Sequence, residues 1–266
     1  MLKMKPLTVF LFILVLTACS PYNKVLNKGT VSEKYKMASS LYEQKEFKKA
    51  LRLFEMLVPS FKGKPQMERI QFMISQSYFN TKDYFNAAYY FERFATNYPK
   101  SSKKEEAEFL VAKSHFLASP KYSLDQSETK IALSSFQNYI NAYPDSKRLA
   151  DCNKMVQELQ HKLETKSFEI AKQYYEIGYF NSAIAAFDNL TSEFLGTSYR
   201  EQAFYYKFKA SYQLGVNSTS RKKNLRIKAA IKAYEKLKRN YPDSKYLAET
   251  EKLYRELQKE KNTVTT

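Results

Sequence analysis

Residues 84–99 read YFNAAYYFERFATNYP, and this stretch decides the fold. Ala87 is followed four residues on by Phe91, seven on by Phe94 and eleven on by Tyr98, with Pro99 next. A small residue at i with bulky ones at i+4 and i+7 marks one face of an α-helix. The small residue lets a neighbouring helix come close. Proline lacks an N–H and clashes with the preceding turn, so it ends the helix. The same register recurs at Ala50, Ala132, Ala183 and Ala230. Four residues on stand Phe54, Phe136, Phe187 and Tyr234; three further on stand Leu57, Tyr139, Leu190 and Leu237. A second aromatic closes each copy at Phe61, Tyr143, Phe194 and Tyr241. Pro144 and Pro242 follow as Pro99 does, whereas the fourth copy ends Phe194-Leu195-Gly196-Thr197 without proline.

A first helix precedes each of these. Phe47, Tyr84 and Phe180 stand three residues before their alanines and open the second helix. Upstream lie aromatic pairs seven apart: Tyr35/Tyr42, Phe72/Phe79, Phe109/Phe116, Phe168/Tyr175 and Tyr205/Tyr212. Seven residues is nearly two turns, so each pair shares a stripe. The unit is helix, turn, helix, stop, and it resembles the tetratricopeptide repeat, a helix pair of about 34 residues. Here the alanines are spaced by 37, 45, 51 and 47 residues, and no repeat carries a tryptophan. The excess is expected in inserted loops over 118–127 and 216–225, and in an added helix over about 147–177. The latter carries a heptad seam at Leu149, Cys152, Val156, Leu159 and Leu163. A charged closing helix over 245–261, with Tyr246, Leu253 and Leu257 inward, would cap the array. The predicted fold is all-α: a right-handed superhelix of five tetratricopeptide-like helix pairs with a closing C-terminal helix.

Outward from the repeats, the N-terminus has a different character. Lys3 and Lys5 precede an apolar run from Leu7 to Leu16, and Leu16-Thr17-Ala18-Cys19 follows. The run is too short for a stable membrane span. Charge, apolar run, small residues and cysteine in this order resemble the bacterial lipobox. That resemblance implies cleavage before Cys19, diacylglycerol on its sulfur, acyl chains of the palmitate kind and a membrane-tethered mature protein; several chains together hold a protein stably on a bilayer. The expected organisation is a signal peptide (1–18), a lipidated tether (19–32), repeats one to three (33–146), the long helix with repeats four and five and the closing helix (147–261), and a tail (262–266).

The mature part holds 248 residues, enough for a sizeable core. The chain carries a net charge of +17, or +15 without Lys3 and Lys5. Such a balance often signals nucleic acid. Export argues against that partner and favours anionic lipid headgroups or acidic protein surfaces. Arg221-Lys222-Lys223, near Arg226 and Lys228, concentrates the charge. After Cys19 only Cys152 remains, so no internal disulfide forms, and its place on the seam reads as a buried small hydrophobe. His115 and His161 have no partner arrangement for nucleophilic catalysis. No cysteine–histidine cluster has metal spacing and no glycine-rich loop could cradle phosphate. No cofactor, metal or catalytic residue is expected.

The aromatic pairs admit two readings. In helix-pair superhelices the first helices line the inner surface, so Tyr35, Tyr42, Phe72, Phe79, Phe109 and Phe116 would floor a peptide-binding groove. The same stripe also suits core packing between successive helices. Taken together, lipobox, five helix pairs, an internal long helix and a closing helix resemble the BamD family, the lipoprotein of the outer-membrane β-barrel assembly machinery. The residue-level resemblance is strongest over Ser123-Leu124-Asp125-Gln126 through Ala132, Phe136 and Tyr143-Pro144-Asp145-Ser146. A second stretch is Ile170-Ala171, Tyr174-Tyr175, Gly178-Tyr179 and Ala183-Ile184. It implies a non-enzymatic scaffold, anchored to the outer membrane and facing the periplasm. Its C-terminal repeats would dock the periplasmic domains of the central barrel assembly protein and its N-terminal repeats would meet unfolded outer-membrane proteins. A generic envelope scaffold for cell-wall or division proteins is the alternative on the same repeats. A wall-cleaving enzyme would need a separate lobe holding a catalytic glutamate, for which the repeats leave no room.

Overall fold

The computed structural model describes residues 21–264. The signal segment and Cys19, expected to carry the lipid, lie outside the described residues. Only helices occur among the described residues, in two compact units. One is drawn from Met1–Ser119 and Ser127–Cys152, the other from Pro120–Gln126 and Asn153–Thr266. The first contains α1 (Pro21–Lys28), α2 (Val31–Glu43), α3 (Phe47–Phe61), α4 (Gln66–Asn80), α5 (Tyr84–Asn97), α6 (Lys104–Ala118) and α7 (Ser127–Ala142). The 28-residue α8 (Leu149–Glu176) begins in it and continues into the second. There follow α9 (Phe180–Glu193), α10 (Arg200–Val216), α11 (Ser220–Asn240) and α12 (Leu247–Val264).

The core is the repeat register made solid. Ala50, Ala87, Ala132, Ala183 and Ala230 are all fully buried, as the close approach of paired helices requires. The residues four and seven further on are buried in every repeat, from Phe54 and Leu57 to Tyr234 and Leu237. Each buried aromatic removes a large apolar area from water, at about 25 cal/mol per Å². On α8, Cys152 and Leu159 are buried while Leu149, Val156 and Leu163 are half-buried, so the seam faces inward.

Turns within a repeat share one construction. In repeat one, Lys45 N–H donates to Tyr42 O (2.9 Å) and Glu46 N–H to Leu41 O (2.8 Å). Lys82 and Asp83 repeat this onto Phe79 and Tyr78, and Gly178 and Tyr179 onto Tyr175 and Tyr174. This pair of bonds closes a helix through one residue in the left-handed region. That residue has φ of 62° at Lys45, 63° at Lys82 and 83° at Gly178. A side chain there costs energy that glycine avoids. Lys82→Gly is therefore expected to raise stability by about 0.5–1 kcal/mol, and Gly178→Ala to lower it similarly. Urea midpoints check both, and a Lys82→Gly midpoint at or below wild type contradicts the assignment.

Between repeats a hydroxyl organises the chain. Ser101, Ser146, Thr197 and Ser244 each accept from the backbone N–H two residues on, at 3.0–3.3 Å. Three of them also donate to a glutamate on the first helix of their own repeat: Ser101 to Glu68 (2.6 Å), Ser146 to Glu105 (2.7 Å) and Thr197 to Glu164 (3.0 Å). Thr197 explains how the fourth repeat closes without proline. The Glu105 carboxyl is held below its ordinary range by the bonds from Ser146 and Tyr139 and by Arg148.

Two expectations need correction. Of the stretch 216–225 read as an inserted loop, only 217–219 leave the helices; α11 starts at Ser220. The N–H groups of Lys222 and Lys223 both donate to Thr219 O at 3.0 Å, which opens the helix there. The segment read as a tether is helical over Pro21–Lys28, with Leu26 buried in the first core. Thr30 and Glu33 then form a reciprocal cap, the Thr30 N–H donating to Glu33 Oε2 (2.8 Å) and the Glu33 N–H to Thr30 Oγ1 (3.2 Å). This starts α2 at Val31. The inserted loop of repeat three is real: 119–126 connects α6 to α7, organised by Gln126, whose side chain donates to Lys121 O (2.9 Å) and Leu124 O (3.0 Å).

Candidate functional site

Every ring of the predicted stripe in the first unit rests on an aromatic of its own repeat's second helix. Tyr35 lies 5.5 Å from Phe61, Tyr42 5.4 Å from Phe47, and Phe72 5.1 Å from Phe94. Phe79 lies 5.7 Å from Tyr84, Phe109 5.7 Å from Tyr139 and Phe116 6.4 Å from Phe136. Phe72 and Phe109 are each 8 % exposed, so the stripe helps to build the core. Tyr35, Tyr42, Phe79 and Phe116 are half-buried.

Two rings from successive repeats meet in one depression. An open cleft of about 480 Å³ runs beside α2 and α4, floored by Tyr42, Phe72 and Phe94 and rimmed by Arg69, Gln76 and Lys103. Tyr35, Phe79, Phe109 and Phe116 do not line it. A polar thread crosses three first helices at its edge. The Tyr42 hydroxyl on α2 donates to the Gln76 side chain on α4, and Gln76 Nε2 reaches Glu106 Oε1 on α6 at 3.4 Å. Lys103 Nζ donates to Glu106 at 2.9 Å and stands 5.5 Å from the centroid of the Phe72 ring. Burial, with the charges of Glu43 and Glu106 behind it, pushes the Tyr42 phenol up to about 12. Tyr42 therefore stays a neutral donor at any physiological pH. Chemically the cleft offers the half-buried Tyr42 ring above the buried Phe72 and Phe94, with Arg69 and Lys103 balanced at the rim by Glu43 and Glu68, a mixed polar and aromatic surface of the kind that can hold a peptide.

In the second unit the closing helix substitutes for a further first helix. Tyr205 donates to Glu249 at 2.7 Å and Tyr212 to Glu256 at 2.5 Å, so tyrosines seven apart on α10 meet glutamates seven apart on α12. Lys209 adds an ion pair to Glu249 at 2.9 Å. The matched spacing of seven was the signal in the sequence for this docking, but pairing two helices 44 residues apart needs the fold.

The remaining reactive side chains are structural. Cys152 is fully buried, and burial, with Asp151 next, pushes its thiol up and away from reactivity. His115 Nδ1 lies 2.5 Å from Glu128 Oε1, joining α6 to α7. His161 stacks on Tyr199 at 5.6 Å. Among the described residues no group of three potential metal ligands comes together, and no helix is long and apolar enough to cross a membrane.

Residues 27–226 match the family described as YfiO, outer membrane lipoprotein, and residues 209–244 match a tetratricopeptide repeat. No match was found among curated proteins. Among solved structures the chain is similar to a Podosopora anserina kinesin light chain with nearly identical TPR-like repeats. The identity is 10 %, over 83 % of this chain and 99 % of that one, with a TM-score of 0.33. A computationally designed self-assembling cyclic homooligomer is similar at 16 % identity over 96 % and 95 % of the two chains, with a TM-score of 0.18. With three quarters of its length matched and tetratricopeptide-like helix pairs throughout, the chain belongs to the YfiO family of outer membrane lipoproteins, the BamD type.

Proposed function

We propose that this protein is a non-enzymatic scaffold for the assembly and insertion of β-barrel proteins into the outer membrane. It is anchored by lipid on Cys19 and faces the periplasm. The observation that carries this reading is the family match over residues 27–226. The C-terminal repeats hold the periplasmic domains of the central barrel assembly protein, and the N-terminal repeats receive unfolded outer-membrane proteins. Depleting the protein from cells tests this. Folded barrel proteins should fall in the outer membrane while unfolded ones gather in the periplasm. Unchanged barrel levels in depleted cells contradict it.

The predicted stripe has its binding role through the half-buried rings, above all Tyr42 in its cleft. A peptide from the C-terminal strand of an outer-membrane protein would lay a side chain against the Tyr42 ring, with Arg69 meeting its carboxylate. Tyr42→Ala should weaken capture of such a peptide by about tenfold or more while the fold persists. Fluorescence anisotropy and a melting curve read the two effects. A variant that melts far below wild type, or binds as wild type does, makes the ring purely core.

A further inference from the structure

Helix α11 presents its most basic surface to solvent in one line. Of its residues 220–240, nine are basic and one, Glu235, is acidic. The buried side of α11 is set by Ile227, Ala230, Ile231, Tyr234 and Leu237. At 3.6 residues per turn the opposite stripe is Arg221, Leu225, Lys228, Lys232, Lys236 and Arg239. All six are exposed, Leu225 by 73 %. From residue 221 to 239 this stripe is about 27 Å long. Neighbouring acids neutralise other cations of α11: Glu260 pairs with Lys223 (2.6 Å) and Glu251 with Lys238 (3.5 Å). Lys236 leans on the Phe204 ring at 5.1 Å. Among the described residues Arg221, Lys228, Lys232 and Arg239 form no ion pair.

We propose that this face of α11 docks on the anionic phosphate layer of a bilayer, with Leu225 entering between the headgroups. Three observations select a membrane rather than an acidic protein. A line of five cations fits a plane of negative charge, and the one exposed acid beside it, Glu235, leaves the face strongly positive. A large aliphatic side chain among lysines and arginines is the pattern of an interfacial helix. The family is one of outer membrane lipoproteins, so a bilayer is among the surfaces such a protein meets. Each Lys or Arg near an anionic surface is worth about fivefold in binding. The contact would add an orientation that an N-terminal anchor alone does not impose.

The chain contains no tryptophan, so Leu225→Trp supplies a single reporter. The full-length lipidated variant is reconstituted into vesicles of neutral phosphatidylcholine and into vesicles containing phosphatidylglycerol. Docking predicts blue-shifted emission, quenched by brominated acyl chains, on the anionic vesicles only. The shift should vanish at high salt, where the Debye length falls to about 3 Å. It should also be lost in the background of Lys228→Glu with Lys232→Glu, and diminish with Lys228→Gln and Lys232→Gln, the helical circular dichroism being unchanged in both. Equal emission on the two vesicle types overturns the proposal, as does a shift that survives charge reversal. A shift that appears only when outer-membrane proteins are added overturns it in favour of an acidic protein partner. Flotation with both vesicle types reports the anchor separately, so loss of anchoring is distinguished from loss of docking.

Discussion

Phe91→Ala is expected to destabilise the first unit by about 3–5 kcal/mol. Phe91 is fully buried, packs against Phe72 at 5.9 Å and Phe79 at 6.5 Å, and stands four residues after the fully buried Ala87. Truncation leaves a ring-sized cavity that close-packed neighbours on α4 and α5 cannot fill. Phe85, on the same helix, is 65 % exposed, and Phe85→Ala should change stability by no more than about 0.5 kcal/mol. Urea unfolding of the pair tests the helix register directly. A similar loss for both, or a larger one for Phe85, contradicts the assignment of faces. The corresponding change in the second unit, Phe187→Ala, should behave as Phe91→Ala does, because Phe187 stands four residues after Ala183 and packs 6.0 Å from Phe168.

The parts of this fold that were legible in the sequence are those where two local signals coincide. The alanine–aromatic register and the helix-opening residues Phe47, Tyr84 and Phe180 depend only on periodicity within one helix pair, and α3, α5 and α9 begin at those residues. The long α8 was legible because its apolar seam has no breaker for nearly eight turns. The first turns of α11 were not. Arg221-Lys222-Lys223 follows Asn217-Ser218-Thr219-Ser220 and reads as a charged loop, yet arginine and lysine are good helix formers once Thr219 accepts the first bonds. Helix α1 is short and polar, and its single buried anchor, Leu26, gains meaning only from the core it meets. The candidate cleft was half legible. Tyr42 and Phe72 belong to the predicted stripe, and Arg69 and Gln76 share one face of α4 with Phe72 at the i, i+3, i+7 spacing, but Lys103 joins them from beyond the repeat, where no spacing rule reaches. The sequence also could not apportion the stripe between core and surface. Alternation on a helix face marks which residues turn inward, but the residual exposure of each ring depends on the neighbouring helix.

Cys19→Ala is expected to remove nearly all of the protein from the outer membrane. The apolar run from Leu7 to Leu16 is ten residues, too short for a stable span, and no described helix is long and apolar enough to cross a membrane. Anchoring would then depend on the acyl chains that the cysteine sulfur and the new amino terminus carry, and several together are needed for stable attachment. The variant should accumulate as uncleaved precursor at the inner membrane, and mass spectrometry of the wild-type N-terminal peptide should show diacylglycerol. Fractionation on a density gradient reads the first result. Normal amounts of processed variant in the outer membrane contradict the lipid-anchor reading.

The central claim, that this scaffold serves β-barrel assembly, is tested most directly by what the intact protein holds in its own membrane. A chromosomal copy with a C-terminal tag is solubilised gently, captured and its partners quantified by mass spectrometry against an untagged strain. The account predicts the central barrel assembly protein in near-equal amount with the bait, together with unfolded outer-membrane proteins. Capture of cell-wall or division proteins with no barrel assembly protein would contradict it.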